Sequence, residues 1–268
     1  MPFGKATMQS SGFDPTLIPT KPTKVILALP SYNGWRRNTT SVSQAVMSPF
    51  PVLTVEVITS LLGFCFNKCW AVALNNRPIS HFAMLHADVV PKPSDWLLRL
   101  IREMDKYEAG VLSVSMPIKD AEGLTSTALD MDDQWRTQRI TQQEMRDRPE
   151  TWTDPRLLIN TGLMIVDFSQ PWVEEFAFTI NDRIIKNSRG RWEAEVEPED
   201  WNFSRFLHSR NVPVYVTRTI PAAHWGEVAW DNQEVWGHKT DPTLAESLRR
   251  TSQPPGLESN PLGEGKAG

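Results

Sequence analysis

The sequence predicts an α/β domain on a mixed, mainly parallel sheet, and two observations carry that prediction. Short apolar runs that stop at turn residues alternate with segments of helical length through the first half of the chain. Such alternation implies parallel strands covered by helices. The composition agrees: 40% hydrophobic and 22% charged residues over 268 positions suit one large globular domain or two small ones. No repeat or linker divides the body of the chain, so a single domain is the simplest account.

Residues 24 to 30, KVILALP, read as a buried strand ending in the turn Ser31-Tyr32-Asn33-Gly34. A β-rich run, VLTVEVIT, follows at 52 to 59. Residues 61 to 76, LLGFCFNKCWAVALNN, read as an apolar helix closed by Asn75, Asn76 and Pro78. The next run, ISHFAMLHADVVP, is a strand that stops abruptly at His86-Ala87-Asp88. Ser94 is expected to N-cap the helix DWLLRLIREMDKYE, with Asp95 near its positive dipole end. A strand, AGVLSVSMP, follows at 109 to 117.

Residues 119 to 155 are polar and charged and read as a long excursion over the active face. LLINTGLMIVDF (157 to 168) is strand-like around Gly162. Residues 169 to 186 are expected to form a helix with Ser169 as N-cap and Pro171 in its first turn. EPEDWNFSRFLHSRN (197 to 211) reads as a helix, and VPVYVTRTI (212 to 220) as a strand leading to AAHWGE. Residues 1 to 22 read as a flexible arm and 241 to 268 as a largely disordered tail, leaving 23 to 240 as the domain.

A net charge of −4 gives no general attraction to nucleic acid or anionic membrane. Cys65 and Cys69 stand one helical turn apart without a nearby histidine. That is no structural zinc site, so they read as buried free thiols of a reducing compartment. No run approaches the ~20 apolar residues of a membrane span, and the first residues lack a secretory apolar core. The expectation is a cytoplasmic protein without membrane insertion. Eleven tryptophans against three tyrosines supply core, with some indoles suited to stacking on sugars or bases at a cleft.

The functional reading begins at Asp88. A carboxylate at the carboxyl end of a strand lies where open α/β sheets place their ligands, and with His86 beside it suits a hard cation holding a phosphate. His224, just past the last strand, is a third candidate ligand for Mn²⁺, although an exposed loop histidine is the plainer reading. Glu199-Asp200 opens a helix, where acidic residues are favoured anyway. Beside a cleft, such a carboxylate can also serve as a base toward a hydroxyl. Gly162 inside a strand pattern suggests close approach of a ligand or another backbone. Lys119, after Pro117, faces either a phosphate or solvent. Glu56 and the cluster Asp130, Asp132, Asp133 are weaker candidates, the cluster reading as solvated loop charge. The absence of GxGxxG, GxxxxGK[ST] and GxSxG removes the commonest dinucleotide, P-loop and hydrolase readings.

Together these pieces resemble the inverting family-two-like glycosyltransferases with the GT-A (Rossmann-like) fold, including members found in phages and bacteria. VILALPSYNG looks like the opening strand and nucleotide-contacting turn. Asn67 is placed like the asparagine of the family's Ala-Arg-Asn motif, although Cys65-Phe66 precede it here. HADVVPKPSDWLLRLI looks like the Asp-x-Asp segment with His86 in the first acidic position, NTGLMIVD like the acceptor-bordering strand, PEDWNFSRFL like the Glu-Asp motif, and HWGE like the late His-x-Gly. The resemblance implies sugar transfer from a nucleotide-diphosphate sugar to an acceptor hydroxyl by a hexosyl- or pentosyltransferase. It implies Asp88 and His224 as ligands of Mn²⁺ or Mg²⁺. Pro30, Tyr32, Asn33, Asn67, His86 and Lys119 fall at the donor, Gly162 and Trp201 at the acceptor, and Asp200 with Glu199 at the base.

Two other readings remain open from sequence: a GT-A scaffold that binds nucleotide or glycan without turnover, and a sugar-phosphate nucleotidyltransferase. The latter would use Arg36 and Arg37 in PSYNGWRRN, a segment with only one glycine. The resemblance to phage members implies a modified DNA base as one acceptor, with polysaccharide, lipid-linked sugar and protein as others. Arg136, Arg139, Arg146 and Arg148, near Trp135 and Trp152, suit phosphate contact and stacking, and equally a solvated loop diluted by Glu144, Asp147 and Glu150.

Overall fold

The computed structural model describes residues 23–120, 122–131, 136–226 and 229–233. The expected arm and tail, with Asp132, Asp133 and Trp135, lie outside them. All described residues fall in one compact unit.

Strand β1, Val25–Ser31, is buried throughout. Ile26 and Ala28 enter the core on one side of the sheet, and Val25, Leu27 and Leu29 the core on the other. Burial on both faces is why the run reads as continuously apolar. Helix α1, Thr39–Val46, leads to β2, Val52–Ile58, which pairs in parallel with β1 from Val25↔Val52 to Ser31↔Ile58. Helix α2, Leu62–Asn75, returns to β3, His81–Leu85, parallel to β1 on its other side. Ala45 places α1 on one core, and Phe66, Cys69 and Trp70 place α2 on the other. The loops after the adjacent strands β1 and β2 therefore leave toward opposite faces. That divergence opens a crevice at their carboxyl ends.

Strand β4, Val89–Pro91, follows the His86-Ala87-Asp88 turn, and helix α3 spans Trp96–Lys106. Its apolar stripe of Trp96, Leu97, Leu100, Ile101 and Met104 is buried, and Trp96 Nε1 donates to the Ser41 carbonyl at 3.0 Å, tying α3 to α1. Asp95, not Ser94, is the N-cap, and its side chain makes no capping bond. It is drawn instead to Arg99 one turn on, at 2.7 Å. Strand β5 is Val111–Val114.

The polar excursion is folded rather than loose. It carries β6 (Leu124–Asp130), β7 (Thr137–Thr141), α4 (Gln142–Arg146) and β8 (Thr151–Trp152). A capping box between Thr141 and Glu144 starts α4. Strand β9, Leu157–Leu158, completes the small sheet β7-β6-β9. Asp130 is not solvated loop charge, because it ends β6 and accepts from Arg205 Nε at 2.7 Å. Strand β10, Leu163–Asp167, lies antiparallel between β3 and β5.

The expected helix over 169–186 is absent. In its place stand a 3₁₀ turn, Pro171–Glu174, and strand β11, Asn181–Lys186, paired antiparallel with β12, Trp192–Glu197. Phe176 and Phe178 are both buried with Ala177 exposed between them, a period of two that no helix provides. Helix α5, Glu199–Ser209, and β13, Val214–Thr217, follow. β14, Ala222–Trp225, then pairs with β4 and with β15, Ala229–Asp231. The main sheet runs β2-β1-β3-β10-β5-β13-β8. Its strands β1, β2, β3, β5 and β13 share one direction, against β10 and β8. This is the mixed, mainly parallel α/β sheet that the sequence predicts.

One glycine is fixed by packing. A Cβ on Gly110 would lie 2.5 Å from Val212 Cγ1, while the Gly110 amide donates to the Pro213 carbonyl at 2.9 Å. Gly110→Ala should cost about 1–3 kcal/mol as an overpacking change. Urea unfolding measures it, and an unchanged midpoint would contradict this close approach.

Candidate functional site

Two cavities compete for attention, and charge decides between them. One of about 510 Å³ lies where β3 begins and β10 ends, and Asp105, Glu108 and Asp167 line it. Its carboxylates repel anions, and it sits at the amino ends of the parallel strands. The other, about 420 Å³, opens at their carboxyl ends. Pro30 and Ser31 of β1, Tyr32, Asn33 and Trp35 of the following loop, Thr59 and Ser60 after β2, and His86 to Asp88 after β3 line it.

Four hydrogen bonds from three segments hold the His86-Ala87-Asp88 turn. The His86 amide donates to the Gly162 carbonyl at 2.9 Å. The His86 carbonyl accepts from Asn38 Nδ2 at 2.6 Å, the Ala87 carbonyl from the Arg37 amide at 2.9 Å, and the Asp88 carbonyl from the Trp225 amide at 2.8 Å. Asn38 precedes α1 yet makes no side-chain cap; its amide serves this turn instead. Three consecutive carbonyls, two held by the adjacent Arg37 and Asn38 and one by β14, give Asp88 a rigid position.

Around Asp88 the side chains converge. Lys119 Nζ donates to its Oδ2 at 2.5 Å, and His224 Nε2 lies 3.5 Å from the same oxygen. Burial pushes the Asp88 carboxyl up, but the hydrogen bonds and charges of His224 and Lys119 outweigh it and hold it well below the usual carboxylate range. His224 Nδ1 donates to the Pro117 carbonyl at 2.7 Å, which turns Nε2 toward Asp88. His224 is thus a positioned group, not a free loop histidine. The His86 ring is half-buried against Phe66, with centroids 5.0 Å apart, and its Nε2 is sealed from solvent with no hydrogen-bond partner. Burial pushes its pKa down to about 4, so the imidazole is neutral at pH 7.

Mn²⁺ or Mg²⁺ can be judged against these donors. Asp88 Oδ2 and the oriented His224 Nε2 are close enough to serve one ion, and phosphate oxygens would have to complete its shell. Among the described residues no group of three His, Cys, Asp or Glu side chains forms a fuller metal cage.

Asp200 stands in the first turn of α5 beside Glu199. Lost hydration and the neighbouring Glu199 carboxyl push it up to about 7, against the pull of the Trp201 amide and Arg139. Burial also raises Glu199. Arg139, stacked on the Trp201 ring at 4.9 Å, feels both Asp200 and Asp120, the residue after Lys119. Trp201 is buried, with an unpartnered Nε1.

Other expected site residues fall elsewhere. The Asn67 amide group is engaged by the Phe178 backbone, donating to its carbonyl and accepting from its amide at 2.8 Å each. A Cβ on Gly162 would lie 3.2 Å from Asn160 Oδ1, so the close neighbour there is protein. Glu56 pairs with Arg36 at 2.7 Å. Trp152 is buried under Arg148, whose guanidinium lies 4.4 Å from the ring, and so offers no open stacking platform. Cys65 and Cys69 are buried and free, and burial pushes the Cys69 thiol up to about 12. Sequence reasoning missed the clamp on Arg37, whose guanidinium lies 4.4 Å from the Trp35 ring and 4.8 Å from Trp225. The one available signal was the Trp35-Arg36-Arg37 run in the loop after β1.

No protein-family model matches this chain, and no curated protein matches it. Several solved structures do. The A197 protein of STIV is similar over 82% of this chain and 98% of its own, with 12% identity and a TM-score of 0.49. A CMP:2-keto-3-deoxy-manno-octonic acid synthetase complexed with CTP is similar over 86% and 98%, with 11% identity and a TM-score of 0.41. S. aureus TarS in complex with UDP-GlcNAc is similar over 82% of this chain and 60% of that one, with 10% identity and a TM-score of 0.38. No helix among the described residues is long and apolar enough to cross a membrane.

Proposed function

We propose that this chain transfers a sugar from a nucleoside-diphosphate donor to an acceptor hydroxyl, with inversion at the anomeric carbon. The observation that carries the reading is the Asp88–His224–Lys119 cluster beside the 420 Å³ crevice at the carboxyl ends of β1, β2 and β3. The nucleoside would occupy the crevice against Tyr32, Asn33 and the apolar side of His86, with its diphosphate at Asp88. Mn²⁺ or Mg²⁺ held by Asp88 and His224 would neutralise charge on the departing diphosphate. Asp200, ionised above its raised pKa, would take the proton from the acceptor hydroxyl as that oxygen attacks the anomeric carbon, and Trp201 and Gly162 would border the acceptor. Inversion follows from direct displacement.

Nucleotidyl transfer fits less well. It calls for free cations after β1, and both arginines there are engaged: Arg36 with Glu56 and the Leu29 carbonyl, Arg37 between two indoles. A glycan or a hydroxyl-bearing modified DNA base suits Asp200 equally as the source of the hydroxyl.

A thermal-shift panel of UDP-, GDP-, TDP- and CDP-sugars tests the reading, because a ligand that binds only the folded state raises the melting temperature. Run with Mn²⁺ and with EDTA, the panel should show one nucleotide family shifting the protein by several degrees more with the metal. Asp88→Ala should lose that metal-dependent part of the shift. A well-folded protein that ignores the whole panel would refute donor binding.

A further inference from the structure

The cluster at Asp88 carries a cation of its own. Lys119 Nζ sits on Asp88 Oδ2, the oxygen that also faces His224. This lysine is built into the site. Its stem runs along Gly226, where a Cβ would lie 3.2 Å from Lys119 Cδ and 3.7 Å from Cγ. The residue before that glycine, Trp225, donates its amide to the Asp88 carbonyl. One turn therefore positions His224, anchors Asp88 and leaves room for the ammonium to reach it. The Lys119 and Asp88 side chains are 35% and 38% exposed, so the ammonium stands where an entering phosphate would meet it.

A divalent ion and this ammonium cannot share Oδ2 at contact distance without strong like-charge repulsion. Resting on the nucleotide-sugar reading for the identity of the ligand, we propose that Lys119 is the resident cation of the donor site. It neutralises Asp88 in the free protein, turns to the diphosphate when the donor binds, and competes with a divalent ion for Asp88. Nucleoside diphosphates then bind in the absence of divalent metal.

Two titrations on the whole chain test this. UDP, GDP, CDP and TDP are titrated calorimetrically in EDTA, and Mn²⁺ is titrated alone while free Mn²⁺ is followed by electron paramagnetic resonance. The proteins are the wild type, Lys119→Met, Gly226→Ala and Asp88→Asn, each checked for folding by its melting temperature. Lys119→Met should bind the preferred diphosphate about tenfold more weakly in EDTA, a change of about 1.4 kcal/mol. It should also bind Mn²⁺ more tightly than the wild type. Gly226→Ala keeps the lysine but displaces its stem, so it should move both affinities the same way by smaller factors. Asp88→Asn should lose Mn²⁺. Unchanged Mn²⁺ affinity in Lys119→Met, or diphosphate binding that EDTA abolishes in the wild type, overturns the proposal. If no diphosphate binds any of the proteins, with or without Mn²⁺, the nucleotide reading and the phosphate role of Lys119 fall together. The Mn²⁺ titration still decides the competition for Asp88 by itself.

Discussion

Asp200→Asn is expected to lower sugar transfer by about 10²–10⁴-fold, the usual contribution of a positioned acid or base. Donor binding should be untouched, because Asp200 stands on α5 and the donor crevice is formed by the loops after β1, β2 and β3. The pH dependence follows from its environment. With the carboxyl pushed up to about 7, transfer should rise with pH through that value as the base becomes ionised. Stability runs the other way. An aspartate in the unfolded chain ionises near about 4, so between there and about 7 the folded state holds a proton that the unfolded chain has lost. The associated stability is present below the unfolded value and is lost as pH rises through the folded one. Asp200→Asn should flatten this decline, although Glu199, also raised by burial, leaves part of it. Full turnover by Asp200→Asn with an unaltered pH profile would remove it as the base.

Trp70→Ala should destabilise the fold by about 3–5 kcal/mol, the range for deleting a large buried aromatic ring. Trp70 is 2% exposed and lies at the centre of an aromatic cluster. Phe168, Phe82 and Phe178 stand edge-on to it at 4.8, 4.9 and 5.6 Å, and its Nε1 donates to the Val173 carbonyl at 2.8 Å. Truncation would leave a void that α2, β3 and the segment after β10 all line, and would strand that carbonyl. Trp70→Phe keeps most of the ring and should cost much less. Equilibrium unfolding in urea separates the two variants. A loss near zero for Trp70→Ala would contradict the packing described.

The first half of the fold was legible because each element shows its own period. β1 up to Pro30 and β3 from Phe82 onward are continuously apolar since both faces are buried, and α3 repeats its apolar positions at helical spacing. Residues 169 to 186 misled for an equally physical reason. Pro171, Trp172, Val173 and Phe176 have helical spacing, but Phe178 turns inward beside Phe176 to reach Trp70 and Phe66, and Asn67 grips its backbone. Tertiary packing there overrides the local pattern. Among the candidate residues, Asp88 was marked by a strand that stops and Glu199-Asp200 by a helix start. His224 read locally as an exposed loop histidine, and only the fold places it in β14 facing Asp88. The Lys119–Asp88 pair and the Trp225 side of the Arg37 clamp join segments distant in sequence, which no local pattern could show.

On the proposed function, the crevice after β1 and β3 seats a nucleoside diphosphate with its phosphates at Asp88. A crystal structure with the nucleoside diphosphate that gives the largest thermal shift tests this directly. The account predicts the base beside Tyr32 and His86 and the phosphates within reach of Lys119 and His224. A nucleotide bound in the acidic cavity at Asp105, Glu108 and Asp167, or anywhere else away from Asp88, would contradict it.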